Sequence, residues 1–236
     1  MRLSISMARY VKLYGFLAAA TLWLGSSQAS AQSVTYDFET LTDQGWGHKF
    51  SNDASETFPI VNIGGSNRME VLRNGDFQEA DISTGNPGDA LYQALLAASA
   101  NEAGAVVSYD YYIDTSLSPG NYGNFLQLGT YYNEGSGAYA QDFPGTGKEV
   151  ELNGTQLGGT QVLSGHVAFT LASKGIDIPS GETFFRFGLI INGDGSQAKV
   201  YFDNISISNV PEPASLALLG FGATGLIGLA THRRGR

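Results

Sequence analysis

Between Gln32 and Asn209 the apolar residues recur mostly with period two, and clusters of Gly, Asn, Asp and Pro interrupt them. Val107, Tyr109, Tyr111 and Ile113 alternate with Ser108, Asp110 and Tyr112, and Phe185, Phe187, Leu189 and Ile191 alternate with Arg186, Gly188 and Ile190. Successive side chains of a strand point to opposite faces, so one face of each run is predicted to be core. Similar runs at 34–38, 58–63, 68–72, 125–132, 166–171 and 199–208 are bounded by residues that favour turns. Several short strands without credible crossover helices predict an all-β fold, an antiparallel β-sandwich. One segment stays open between two readings. Asp89 is placed to cap a helix through Leu91, Leu95 and Leu96, yet Ala90 to Leu95 also reads as a strand leading into the one at Ala105.

The pattern changes at both ends. The first 31 residues have a basic start, an apolar run from Leu13 to Leu24 and small residues ending in Ala29, Ser30 and Ala31. These are the parts of a secretory signal peptide, with cleavage expected after Ala31 and with Ala29 completing the small-residue site. Trp46 is then the single tryptophan of the mature chain. At the other end Val210, Pro211, Glu212 and Pro213 precede an apolar run from Leu216 to Ala230, after which come His232, Arg233, Arg234, Gly235 and Arg236. Such a run, if helical, is just long enough to cross a hydrocarbon core as a transmembrane helix, and the arginines beyond it are expected to stay on the cytoplasmic side. Three regions follow: a leader over 1–31, a β-sandwich over 32–209 and a C-terminal segment over 210–236.

A Pro-Glu-Pro triplet, a spanning segment and a basic finish resemble the PEP-CTERM sorting signal of bacteria. The resemblance implies an exosortase as partner, processing near Pro211, Glu212 and Pro213, contact with the membrane only before that processing, and a final place at the cell surface or in the extracellular matrix. It also implies a Gram-negative-type envelope and an exopolysaccharide-producing cell.

Charge sharpens this picture. The chain has 13 basic and 22 acidic residues, net −9, but three basic residues lie in the leader and three in the tail, and every acidic one lies between Asp37 and Glu212. That stretch therefore holds seven basic against twenty-two acidic residues, a net of −15. Such a surface repels phosphate backbones and excludes nucleic acid as a partner. The chain has no cysteine, which removes disulfides, thiolate metal sites and cysteine nucleophiles together.

Tyr36, Asp37, Phe38 and Glu39, followed by Gly45 and Trp46, together with Val200, Tyr201, Phe202, Asp203, Asn204 and Ile205, resemble the opening and closing strands of jelly-roll domains of the carbohydrate-binding-module type. That resemblance implies a jelly-roll-like sandwich and a structural calcium ion as the one candidate cofactor, held by Asp37, Glu39 and Asp203, since calcium takes hard carboxylate and carbonyl oxygens. The loop at Asn192, Asp194 and Ser196 imitates the start of an EF-hand, but Gln197 stands where the turn glycine belongs, so a hairpin turn explains it better.

Sugar recognition needs aromatic rings laid against a pyranose face with polar groups beside them; Tyr112, Tyr122, Tyr131, Tyr132, Tyr139 and Arg186 are the candidates. Catalysis finds less support. His48 and His166 are the only histidines between leader and tail, and no nucleophile elbow or zinc-binding helix occurs. Glu149 and Glu151 have the alternate spacing that puts two carboxyls on one strand face, as glycoside hydrolysis would need. The expectation is a noncatalytic, exported surface or exopolysaccharide-matrix protein that binds glycan. The alternatives are a secreted polysaccharide hydrolase and a purely structural surface protein.

Overall fold

The computed structural model describes residues 32–47, 58–72, 77–84, 88–117, 120–134, 148–176, 185–195 and 197–209, all within the compact unit Ala31–Arg236. Both terminal segments, with Ala29, Ala31, Pro211, Glu212 and Pro213, and also Tyr139, lie outside the described residues. Among the described residues, ten strands build two antiparallel sheets. They are β1 (Ser33–Tyr36), β2 (Ile60–Ile63), β3 (Ser66–Leu72), β4 (Phe77–Thr84), β5 (Ala105–Asp114), β6 (Phe125–Glu134), β7 (Lys148–Asn153), β8 (Val162–Thr170), β9 (Phe185–Gly193) and β10 (Lys199–Asn209). The six-stranded sheet runs β2-β3-β10-β5-β8, with β1 also on β10, and the four-stranded sheet runs β4-β9-β6-β7. Among the described residues no helix is long and apolar enough to cross a membrane.

The expected alternation holds where it was strongest. Ala105, Val107, Tyr109 and Ile113 of β5 are buried, as are Phe185, Phe187, Leu189 and Ile191 of β9, and both rows join one hydrophobic core between the sheets. Burying such side chains contributes about 1.5–3 kcal/mol each, which makes the shared core the main source of stability in a chain without disulfides. β10 is the centre of the larger sheet. One edge of it pairs with β5, while the other pairs with β3 through Lys199–Phe202 and with β1 through Ile205–Ser208. The register shifts between Asp203 and Ser206, where Asn204 takes φ 49°, a left-handed conformation that asparagine tolerates at a bulge.

The open segment is helical. Helix α1 (Ala90–Ser99) buries Leu91, Tyr92, Ala94, Leu95 and Ala98, and Tyr92 packs on Phe185 with ring centroids 5.4 Å apart. Asp89 occupies the N-cap position in an extended conformation but makes no side-chain capping bond. The helix is therefore held by its apolar stripe more than by its cap. A single turn, α2 (Gly154–Leu157), follows β7 under a full capping box of Asn153 and Gln156.

Strand β4 was not foreseen, and β7 overturns one expectation. Leu128 pairs with Val150 but Gly129 pairs with Lys148, so Glu149 is the extra residue of a bulge. Its carboxylate accepts from Tyr109 Oη at 3.3 Å and Thr130 Oγ1 at 3.2 Å and pairs with Lys174 Nζ at 3.1 Å. Glu151 is instead exposed and accepts from Gln127 at 3.3 Å. The two glutamates thus do not share a face, because the bulge removes the alternation that their spacing implied.

Candidate functional site

Among the described residues, the outward face of the six-stranded sheet carries a cluster of polar side chains. Strand pairing puts Asp203 of β10 opposite Asp110 of β5, and Asp110 opposite His166 of β8. Like charges directly opposite each other destabilise a sheet, so each carboxylate needs its own partner. Asp110 Oδ1 pairs with His166 Nδ1 at 2.6 Å, and its Oδ2 accepts from the Asn204 side chain at 2.8 Å. Asp203 accepts from Ser66 Oγ at 2.7 Å and from the Asn204 backbone N–H at 2.8 Å, with Arg68 Nε 4.0 Å away. Burial pushes the Asp203 carboxyl above its ordinary value, and the Ser66, Asn204 and Arg68 contacts oppose that shift.

Arg68 is itself fixed by the chain around it. It donates to the carbonyl of Ile63, and its guanidinium lies 4.7 Å from the centroid of the Tyr112 ring. The β2–β3 turn at Gly64 and Gly65 has φ of 62° and 86°, the double left-handed geometry of a two-residue hairpin. A Cβ on Gly64 would stand 2.7 Å from the guanidinium and 2.9 Å from Tyr112, so glycine is what lets the pair close over the turn. Beyond this charged row the face flattens. Ser206 and Ser108 stand opposite each other with hydroxyls 2.9 Å apart, Ser208 stands opposite Val106, and Ala168 follows on β8. Small hydroxyl-bearing side chains beside a row of carboxylate, imidazole, amide and guanidinium groups make this face rich in both donors and acceptors.

The aromatic candidates do not gather here. Tyr112 is on this face, half-buried, with Arg68 over its ring and Tyr201 edge-on at 6.2 Å. Tyr122 and Tyr132 are core residues, 1% and 3% exposed, and so present no ring to solvent. The Tyr122 hydroxyl donates to the carbonyls of Lys199 and Asp114 at 3.0 and 3.3 Å, and burial pushes its pKa up to about 12. Tyr131 and half-buried Arg186 belong to the other sheet, where Tyr131 pairs with Gly188 and Arg186 with Asn133. The face instead assembles Arg68, Asp110, His166 and Asn204, which sequence reasoning passed over. The signal for Asp110 was present: it occupies an outward position of a strand recognised by alternation.

The three carboxylates proposed for calcium are only partly convergent. Ser66 Oγ lies 3.3 Å from Glu39 Oε1 as well as 2.7 Å from Asp203, so these two carboxylates share one hydroxyl. Asp37 turns elsewhere, accepting from the Gln44 side chain at 3.1 Å and the Glu39 backbone at 3.3 Å. Among the described residues no group of three or more His, Asp or Glu side chains stands close enough to hold a metal ion. As arranged, the donor set does not make a calcium cage. Asp194, from the EF-hand-like loop, accepts from the Phe125 backbone N–H at 3.0 Å, the Asn124 side chain at 3.0 Å and the Asn124 backbone N–H at 2.6 Å, and these bonds hold its carboxyl below the usual range. It ties the β9–β10 turn to the start of β6, and Ser196 lies outside the described residues.

The PEP-CTERM protein-sorting motif matches residues 209–234, a span that contains Pro211, Glu212 and Pro213. No curated protein matches the chain. Among solved structures the chain is similar to a carbohydrate-binding module, CBM28, described as specific for non-crystalline cellulose, at 15% identity over 72% of this chain and 89% of that one, TM-score 0.49. It is also similar to CBM27-1 of Caldicellulosiruptor saccharolyticus, solved with mannohexaose, at 14% identity over 76% and 97% of the two chains, TM-score 0.43. A xylan-binding module, CBM15, is similar at 11% identity over 76% and 97%, TM-score 0.41.

Proposed function

We propose that this chain is an exported, noncatalytic protein of the cell surface or exopolysaccharide matrix, in which a jelly-roll-like sandwich binds polysaccharide through the outward face of its six-stranded sheet. The observation that carries the reading is the sorting motif over 209–234. On it, a leader cleaved after Ala31 exports the chain, the apolar run from Leu216 to Ala230 holds its end in the membrane, and an exosortase processes it near Pro211, Glu212 and Pro213. The glycan part rests on the row of Arg68, Asp110, His166 and Asn204 with Tyr112 beside it, which offers sugar hydroxyls both donors and acceptors over a flat floor.

Noncatalytic action is supported by Glu149 and Glu151, since one is spent inside the sandwich and the other faces out, so they form no facing carboxyl pair for hydrolysis. The sorting step is tested by Pro211→Ala with Pro213→Ala, after which the exported chain is expected to retain its C-terminal segment. Mass spectrometry showing the same mature C terminus in mutant and wild type would remove the sorting reading.

A further inference from the structure

Unpaired strand edges are templates for association, and proteins blunt them with short strands, charge, proline or bulges. Most edges of the two sheets follow this rule. β1 and β2 are four residues each; β4 carries Glu79 and Asp81; β7 carries Lys148, Glu149 and Glu151 with a bulge. β8 does not. Its nine residues, Val162–Thr170, pair in unbroken register with β5 and, among the described residues, with nothing on the other side. The strand contains no Lys, Arg, Asp, Glu or Pro, and extends about 30 Å at ~3.3 Å per residue. Its inward row is also unfinished, for Leu163, Val167 and Phe169 are only half-buried, whereas the neighbouring β5 row is mostly buried.

We propose that β8 is a self-association edge, where a second copy of this chain adds its own β8 antiparallel and joins the two six-stranded sheets. Charge argues for a copy over a foreign partner of opposite charge. With −15 across Asp37–Glu212, two copies repel over most of their surface, and β8 is a strip where they can meet without opposing carboxylates. The residue pattern is self-complementary about His166. Antiparallel pairing centred there sets Leu163 opposite the second copy's Phe169 and Gly165 opposite its Val167, large beside large and small beside branched. On the outward face it sets Ser164 opposite Ala168. Gly165 is already required by its own sheet, because a Cβ there would stand 2.8 Å from the Tyr111 ring that covers it.

The chain has no cysteine, which makes the register directly readable. In the full chain, Ser164→Cys with Ala168→Cys is expected to form an intermolecular, reducible dimer on mild oxidation. Opposed Cα atoms of an antiparallel pair lie about 4.5–5.5 Å apart, within disulfide reach, whereas 164 and 168 of one strand are about 13 Å apart. Thr155→Cys, exposed on α2 and outside this strand, serves as the control for random collision. In sedimentation, the wild-type chain is expected to dimerise with concentration, and Ser164→Lys with Ala168→Lys to weaken that dimer at least tenfold with an unchanged melting temperature. A wild-type chain that stays monomeric near 1 mM overturns the proposal, as does a dimer that the lysines leave intact or cross-linking at 164 and 168 no faster than at 155. Should the lysine variant fail to fold, the cysteine pair decides alone.

Discussion

Glu149 is where stability can be separated from chemistry. Its side chain is 4% exposed and connects the sheets, accepting from Tyr109, which is 0% exposed, and Thr130, 3% exposed, while Lys174 closes the pair from the rim. Glu149→Ala would leave two buried hydroxyls without this acceptor, at about 1–3 kcal/mol each, for a total of roughly 3 kcal/mol or more. At about 2–4 °C per kcal/mol for a domain of this size, the melting temperature should fall by roughly 6–12 °C. Glu149→Gln keeps an amide oxygen for one hydroxyl, turns its NH2 toward the oxygen of the other, and removes the cost of burying charge, so it should cost clearly less than alanine, about 1 kcal/mol. Burial raises the Glu149 carboxyl above its ordinary 4.5, against the opposing contacts of Lys174, Thr130 and Tyr109. The folded state then holds a proton that the unfolded chain has released, so this group's stability contribution is full below 4.5 and is lost as pH rises through the folded value. Melting followed from pH 4 to 8 should therefore show Glu149→Gln gaining on wild type as pH rises. A fall of less than 2 °C for the alanine variant, or equal damage from Gln and Ala, would show that Glu149 does not hold the two hydroxyls in this way.

Other expectations follow from the same contacts. Tyr122→Phe should cost about 1 kcal/mol by removing the hydroxyl that binds Lys199 and Asp114, with glycan affinity unchanged, since the residue is core; a selective loss of affinity would return it to the site. Arg68→Met should cost about 1–3 kcal/mol at pH 7 by leaving Asp203 without its cation, and part of that deficit should vanish as pH falls through the raised Asp203 pKa and the carboxyl is protonated. With Asp37 turned to Gln44, a calcium chelator is expected to leave the melting temperature within about 1 °C. A rise of several degrees on adding calcium would mean that Asp37, Glu39 and Asp203 rearrange around an ion.

The sequence made legible those strands whose two faces differ. β5, β9 and β10 alternate bulky apolar with small or polar residues, and the register follows that alternation. β4 was hidden because Gln78, Glu79, Asp81, Ser83 and Thr84 outnumber its apolar residues Phe77, Ala80 and Ile82, so the apolar signal is weak. The facing of Glu149 in β7 was hidden by a bulge that turns this charged residue inward. For the site, tyrosines were expected at the surface, whereas Tyr122 and Tyr132 lie in the core that their large apolar area favours. The row from Arg68 to His166 could not be read as a row, because it depends on β3, β10, β5 and β8 lying side by side. Those strands are far apart along the chain, and nothing local specifies their pairing.

The glycan-binding face is tested by equilibrium binding and turnover of the exported chain across a panel of polysaccharides, with His166→Ala and Asp110→Ala as matched variants. The expected result is saturable binding to at least one polysaccharide, a loss of at least tenfold in affinity for both variants at unchanged melting temperature, and no release of reducing ends. Release of reducing ends by the wild type, or binding that neither variant weakens, would contradict it.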